Sequence, residues 1–169
     1  NSMNLIGERQ AATKFVPMIM RNALLGRPIT IHAVDGVPGS RMYLHSRNYA
    51  DACRWIIQRG RPSTWDAGRK PGPIGKRPDR WNVVGELELD NRQMAEMVVE
   101  AMVEAGVDFP SPQIVLVDAH SKRPGHDPRY ALDGRKIAEA GWTAPVKFET
   151  SLKKTVAWSL SNREWLTLT

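Results

Sequence analysis

Apolar residues recur at helical spacing in some stretches of this chain and at alternate positions in others, and the two periods divide it into short elements. In TKFVPMIMRNALLG (13–26), Phe15, Ile19 and Ala23 form one stripe with Met18, Met20 and Leu24 beside it. Thr13 is placed to cap this helix, Pro17 falls in its first turns and Gly26 stops it. PITIHA (28–33) reads as a strand, DGVPGS (35–40) as turn chemistry and RMYLH (41–45) as a second strand. RNYADACRWIIQRG (47–60) reads as a helix started near Ser46 or Asn48 and ended at Gly60, and WNVVG (81–85) as a further strand. The strongest helical pattern covers 91–105. There Asp90 and Gln93 make a capping-box pair, and Met94, Val98, Ala101, Met102 and Ala105 share a face. Glu96, Glu100 and Glu104 run down another face of that helix as a solvated flank, and the methionines are core filler. QIVLVDA (113–119) follows as an apolar strand, then helices from Asp133 to Ala140 and from about Ser151 to Ser161. No internal repeat interrupts this order. It predicts a mixed α/β (α+β) fold without the strand–helix alternation of a complete doubly wound sheet.

The 169 residues suffice for one domain, 1–169, with a core of its own. No apolar run reaches the roughly 20 residues of a membrane helix, and no secretory pattern is present. The single cysteine, Cys53, lies in an apolar helical pattern and fits a reducing compartment, so a cytoplasmic protein is expected. The net charge of +6 is concentrated rather than spread. RGRPSTWDAGRKPGPIGKRPDR (59–80) holds seven Arg and Lys against two Asp, and its prolines and glycines exclude a helix or a central strand. It is expected to be a solvated, flexible insertion. One tryptophan within it, Trp65, does not make an aromatic-lined groove, so charge alone does not argue for a nucleic-acid partner.

Several chemistries lack their motifs. There is no GxGxxG, no GxxxxGK[ST], no GxSxG and no HExxH. Asp118, His120, His126 and Asp127 are close in sequence, but their spacing gives no helical pair and the intervening SKRP is cationic, which argues against a metal. SKRPGHDPRYALDGRKIAEAGW (121–142) is the stretch with chemical content. Arg123 sits on a Pro-Gly turn and offers a planar fork of donors suited to phosphate oxygens; His126 adds a donor. Arg41, after a Gly-Ser turn, is positioned to meet the same anion. An Arg–Asp pair between loops is the equally available alternative on residue chemistry alone.

RPGHDPRYALDGRKIAEAGWTAPVKFETSLKKTVAW (123–158) resembles the C-terminal region of extended short-chain dehydrogenase/reductases that act on nucleotide sugars. The nearest pattern is that of the dTDP-glucose 4,6-dehydratases and related NAD-dependent epimerase/dehydratases. The resemblance is carried by Arg123–Asp127, Arg129 and Tyr130, Asp133 and Lys136, Gly141 and Trp142, and Thr155–Trp158. It extends to MNLIGERQAATKFVPMIMRNALLGRPITIH, GSRMYLHSRNYADA and WNVVGE, leaving only 59–80 without a counterpart. Pro145 falls one place later than in the family, Leu87 stands where the family often has Asn, and His32 replaces a common Tyr.

What the resemblance implies is a small substrate-binding lobe for a nucleoside-diphosphate sugar. Asn4 would meet the sugar diphosphate, Lys14 and Phe15 would lie beside the nucleotide, and Thr30 and His32 along its base or ribose. Arg41, Arg123 and His126 would hold phosphates and ribose. The family's glycine-rich NAD turn and Tyr-x-x-x-Lys pair have no equivalent here: no lysine follows Tyr43, Tyr49 or Tyr130 by four. The expectation is therefore a lobe with no catalytic residue, cofactor site or metal site of its own. NAD would be held by an N-terminal Rossmann domain in the same or a separate chain. A non-catalytic protein-interaction module reusing this lobe, with the basic loop as its contact surface, is the alternative.

Overall fold

The computed structural model describes residues 1–59, 80–118 and 127–168. Its strands are β1 (Leu5–Ile6), β2 (Ile29–Val34), β3 (Val37–Pro38), β4 (Ser40–Met42), β5 (Leu44–His45), β6 (Glu88–Asp90), β7 (Ile114–Asp118) and β8 (Arg129–Tyr130). Its helices are α1 (Phe15–Leu24), α2 (Ser46–Arg59), α3 (Asn91–Glu104), α4 (Arg135–Glu139) and α5 (Phe148–Ser161), with a 3-10 turn at Arg163–Leu166. The expected mixed fold holds: among the described residues, three small sheets, ordered β1-β5, β3-β2-β7 and β6-β4-β8, lie among five helices.

The alternation in β2 sends Ile29, Ile31 and Ala33 inward, where the first two join the main core with Val16, Ile19, Met20 and Ala23 of α1. Met94, Val98 and Met102 of α3 and Leu152, Val156 and Leu160 of α5 complete that core. The helical stripe read in 91–105 is thus the face α3 buries, save for Ala105, which is exposed just past the end of the helix. Asp90 accepts from the Arg92 and Gln93 amides, and the Gln93 side chain accepts from the Asp90 amide, giving the expected capping box. A second cluster, Leu44, Ala52, Val83, Ile137 and Trp142, packs α2 and α4 against β5. Gly141 fixes the exit from α4: at φ +100° its amide donates to Ala138 O and the Trp142 amide to Ile137 O, which turns Trp142 back onto Ile137.

Several expectations need correction. Helix α1 begins at Phe15 with Lys14 as its cap residue and no side-chain cap bond, so Thr13 does not cap it. The run 41–45 is two strands in two sheets: β4 pairs with β6 and β8, β5 with β1, and Tyr43 lies between. Residues 81–85 do not form a strand. Only Val83 makes a bridge, to Ser2, while Gly85 lies against the Tyr43 backbone where a side chain has no room. Helix α5 starts at Phe148, three residues earlier than its pattern suggests. Arg59 is the last residue of α2 and not the first of a loop; 60–79 lie outside the described residues. Cys53, in the apolar pattern of α2, is only half-buried.

Candidate functional site

Thr30 and His32 share the outward face of β2, since both neighbours on either side are turned into the core. Parallel pairing with β7 sets Thr30 opposite Val115 and His32 opposite Val117, so that face is a strip of alternating polar and β-branched side chains. Asn4 is exposed, and its carbonyl accepts the Leu44 amide at 3.0 Å, which ties it to the run carrying Arg41. Lys14 is exposed at the cap of α1; Phe15, the next residue, is half-buried against the main core.

Arg41 is buried at 7% exposure on β4. Its Nη1 donates to Ser40 O (2.6 Å) and Pro128 O (3.4 Å), and its Nη2 donates to Asp127 O (2.9 Å). Its guanidinium carbon lies 5.9 Å from the Tyr130 ring centre, the residue opposite it in register. The parallel β4–β8 pairing therefore sets Arg41 beside the residues that immediately follow 123–126. Arg123 and His126 themselves lie outside the described residues. On the same sheet, Arg129 grips Glu88 through Nε and Nη2, both at 2.7 Å, while Ser40 donates to Glu88 Oε1 at 2.7 Å. Those bonds hold the Glu88 carboxyl down, at about 2.

The sequence reading missed one buried polar cluster. His45 is 2% exposed; its Nε2 lies 3.2 Å from Thr155 Oγ1 and 3.4 Å from Glu8 Oε2, and Glu8 also binds Arg47 Nη2 at 2.7 Å. The Arg47 amide donates to His45 Nδ1 at 3.1 Å, which puts the ring proton on Nε2 and leaves no lone pair for base chemistry. Glutamate and hydroxyl meet the same nitrogen, so this is not a nucleophile–base–acid relay. A period-two reading of Arg41, Tyr43 and His45 would have marked all three as inward-facing, since all are buried.

Burial pushes the His45 pKa below its ordinary 6.5, with Arg47 adding to the fall and Glu8 opposing it. The unfolded chain then binds this proton more readily than the fold does. His45 contributes its full stability above about pH 6.5 and loses it as pH falls through the folded value. The urea midpoint is expected to drop between pH 7.5 and 5.5, and His45→Gln is expected to flatten that slope; an unchanged slope in the variant rules this out. Among the described residues, no group of three or more His, Cys, Asp or Glu is placed to hold a metal ion. Among them too, no helix is long and apolar enough to cross a membrane.

No family model matches the chain. Curated relatives do. Over 166 residues it is 31% identical to the dTDP-glucose 4,6-dehydratase of Haemophilus influenzae, covering 96% of this chain and 44% of the relative. It is 30% identical to a probable dTDP-glucose 4,6-dehydratase of Sinorhizobium fredii, covering 98% and 42%. Among solved structures, the dTDP-glucose 4,6-dehydratase of Streptomyces venezuelae with NAD bound superposes with a TM-score of 0.71 at 29% identity, over 99% of this chain and 45% of that one. The chain is thus similar, over almost all of its length, to dTDP-glucose 4,6-dehydratases, which are extended short-chain dehydrogenase/reductases. It corresponds to their C-terminal part and spans less than half the length of the curated relatives it matches. The resemblance read from RPGHD and the flanking motifs is thereby borne out for family and fold.

Proposed function

We propose that this chain is the nucleotide-sugar-binding lobe of a dTDP-glucose 4,6-dehydratase-like enzyme. The observation that carries the reading is the β4–β8 pairing. It places the Arg41 strand against the residues directly following the Arg-Pro-Gly-His run, so two separated parts of the chain contribute to one edge. In this reading Arg123 and His126 supply donors to the diphosphate. Thr30 and His32 present the outward face of β2 to base and ribose. Asn4 meets the sugar diphosphate, and Lys14 and Phe15 lie beside the nucleotide. NAD supplies removal and return of a hydride when bound; its holding belongs to a Rossmann domain in the same or a separate polypeptide, and no residue of this chain is assigned to it.

Isothermal titration of the 169-residue chain with dTDP and dTDP-glucose tests the reading. Charge-assisted bonds of about 1.5–3 kcal/mol each, near the upper figure and from three donors, are enough to give roughly micromolar binding. Arg123→Ala is expected to weaken dTDP at least tenfold. Equal heats for the variant and the parent would remove the proposal. UDP-glucose as a parallel ligand reads out the base preference that His32 and Leu87 alter.

A further inference from the structure

We infer that Glu8, Arg9 and Gln10 are positioning residues, fastening the connection from β1 to α1 that delivers Lys14 to the nucleotide; this rests on the nucleotide-binding reading above. Lys14 is the exposed cap residue of α1 and makes no side-chain cap bond, so its placement follows from the backbone that leads to it. Three consecutive residues of that backbone bind three different parts of the fold. Glu8 Oε2 lies 3.4 Å from His45 Nε2 at the end of β5, and Glu8 Oε1 accepts from Arg47 Nη2 in the first turn of α2 at 2.7 Å. The Arg9 guanidinium stacks on Trp158 of α5, 5.6 Å from the ring centre. Gln10 Nε2 donates to Leu5 O at 2.8 Å and so closes the turn back onto β1. Arg9 makes the bend between its neighbours with a left-handed backbone, φ +63°. Residues other than Gly, Asn, Asp and His seldom occupy that region, and the surroundings must hold them there. Beyond the fastened residues, the Lys14 amide donates to Ala11 O and the Lys14 carbonyl accepts the Met18 amide, both at 2.9 Å. Order set at 8–10 therefore passes through one short turn to Lys14 and into α1.

Hydrogen exchange at the Lys14 amide, in protein without ligand, reports the order that reaches this residue. The Ile29 amide, bonded to Gln113 O at 2.8 Å, is the reference for general destabilisation. Glu8→Ala is expected to lower Lys14 protection about tenfold relative to Ile29, the equivalent of one hydrogen bond to a charged group. This variant leaves the buried imidazole a partner, because Thr155 Oγ1 lies 3.2 Å from His45 Nε2. Gln10→Ala is a second route that cuts the tie to Leu5 O with no change of charge, and at least about a threefold loss is expected, as for a neutral bond. The second readout is dTDP affinity, whose sign is informative. A carboxylate acting only through its charge opposes an anionic ligand, so its removal would tighten binding. A positioning role predicts that Glu8→Ala weakens dTDP instead, by about tenfold. That role acts through Lys14, so the losses from Glu8→Ala and Lys14→Ala should not add in the double variant. Unchanged Lys14 protection in either variant, equal or tighter dTDP binding by Glu8→Ala, or additive losses would each overturn the inference. If the parent chain binds no dTDP, the nucleotide reading fails, and the exchange comparison alone decides whether residues 8–10 hold the connection.

Discussion

Gly85→Ala is expected to abolish the native fold. A methyl group at that position would overlap the Tyr43 carbonyl, a backbone atom that cannot rotate aside. Tyr43 is itself fixed. Its ring is 3% exposed and stacks at a tilt on Phe148 with centroids 6.3 Å apart, and its hydroxyl donates to Asn91 Oδ1 at 2.9 Å. Its neighbours on either side belong to two different sheets, so yielding at Tyr43 would strain both. Substitutions costing more than about 4 kcal/mol are exceptional, and this one combines overlap with no path of relief in a protein whose total stability is about 5–15 kcal/mol. Far-UV circular dichroism and soluble yield measure it. Gly134→Ala is the control: an added Cβ there meets the Val84 side chain, which can change rotamer, and a much smaller loss is expected. A Gly85→Ala protein with the parent's urea midpoint would show that the approach to Tyr43 is not obligatory.

Trp142→Ala is expected to cost about 3–5 kcal/mol, the range for emptying a large aromatic site. The side chain is 6% exposed, fills the second core with Leu44, Ala52, Val83 and Ile137, and donates from Nε1 to Asp51 Oδ1 at 3.0 Å. Together with the bond from Asn48 Nδ2 to Val146 O at 2.7 Å, it ties the chain leaving α4 to α2, so its loss loosens both. Trp142→Phe keeps most of the apolar contact and gives up the hydrogen bond; about 1–2 kcal/mol is expected. Equilibrium urea unfolding separates the two variants. Equal midpoints would mean that the ring volume contributes nothing beyond the hydrogen bond, contrary to the packing described.

The helices were legible because their signals are local: the Asp90–Gln93 pair and the 94/98/102 stripe both appear as read. Strand pairing was less so. Nothing in RMYLH announces a change of sheet at Tyr43, because that change depends on Gly85, some forty residues later in the chain. Strand β8 escaped notice for the same reason, being two residues supported by Arg41 and Glu88 from elsewhere. At the candidate site, residue chemistry singled out Arg41 and motif likeness supplied its company, but burial of its fork on carbonyls is a three-dimensional fact. The Glu8–His45–Thr155 cluster joins three distant segments and has no sequence signature beyond the inward alternation of 41, 43 and 45.

The parallel pairing of β2 with β7 bears on how the protein is made. Ile29 sits opposite Ile114, so the ribosome must synthesise about 85 further residues before β2 meets its long neighbour. At roughly 5–20 residues per second, that leaves about 4–17 s in which β2 has only the brief β3 beside it. During that interval a hydrophobic ribbon waits with one side unmatched, open to adhesion with other nascent chains. Yield in the cell should therefore respond to translation rate and chaperone supply more than the finished protein's stability would suggest.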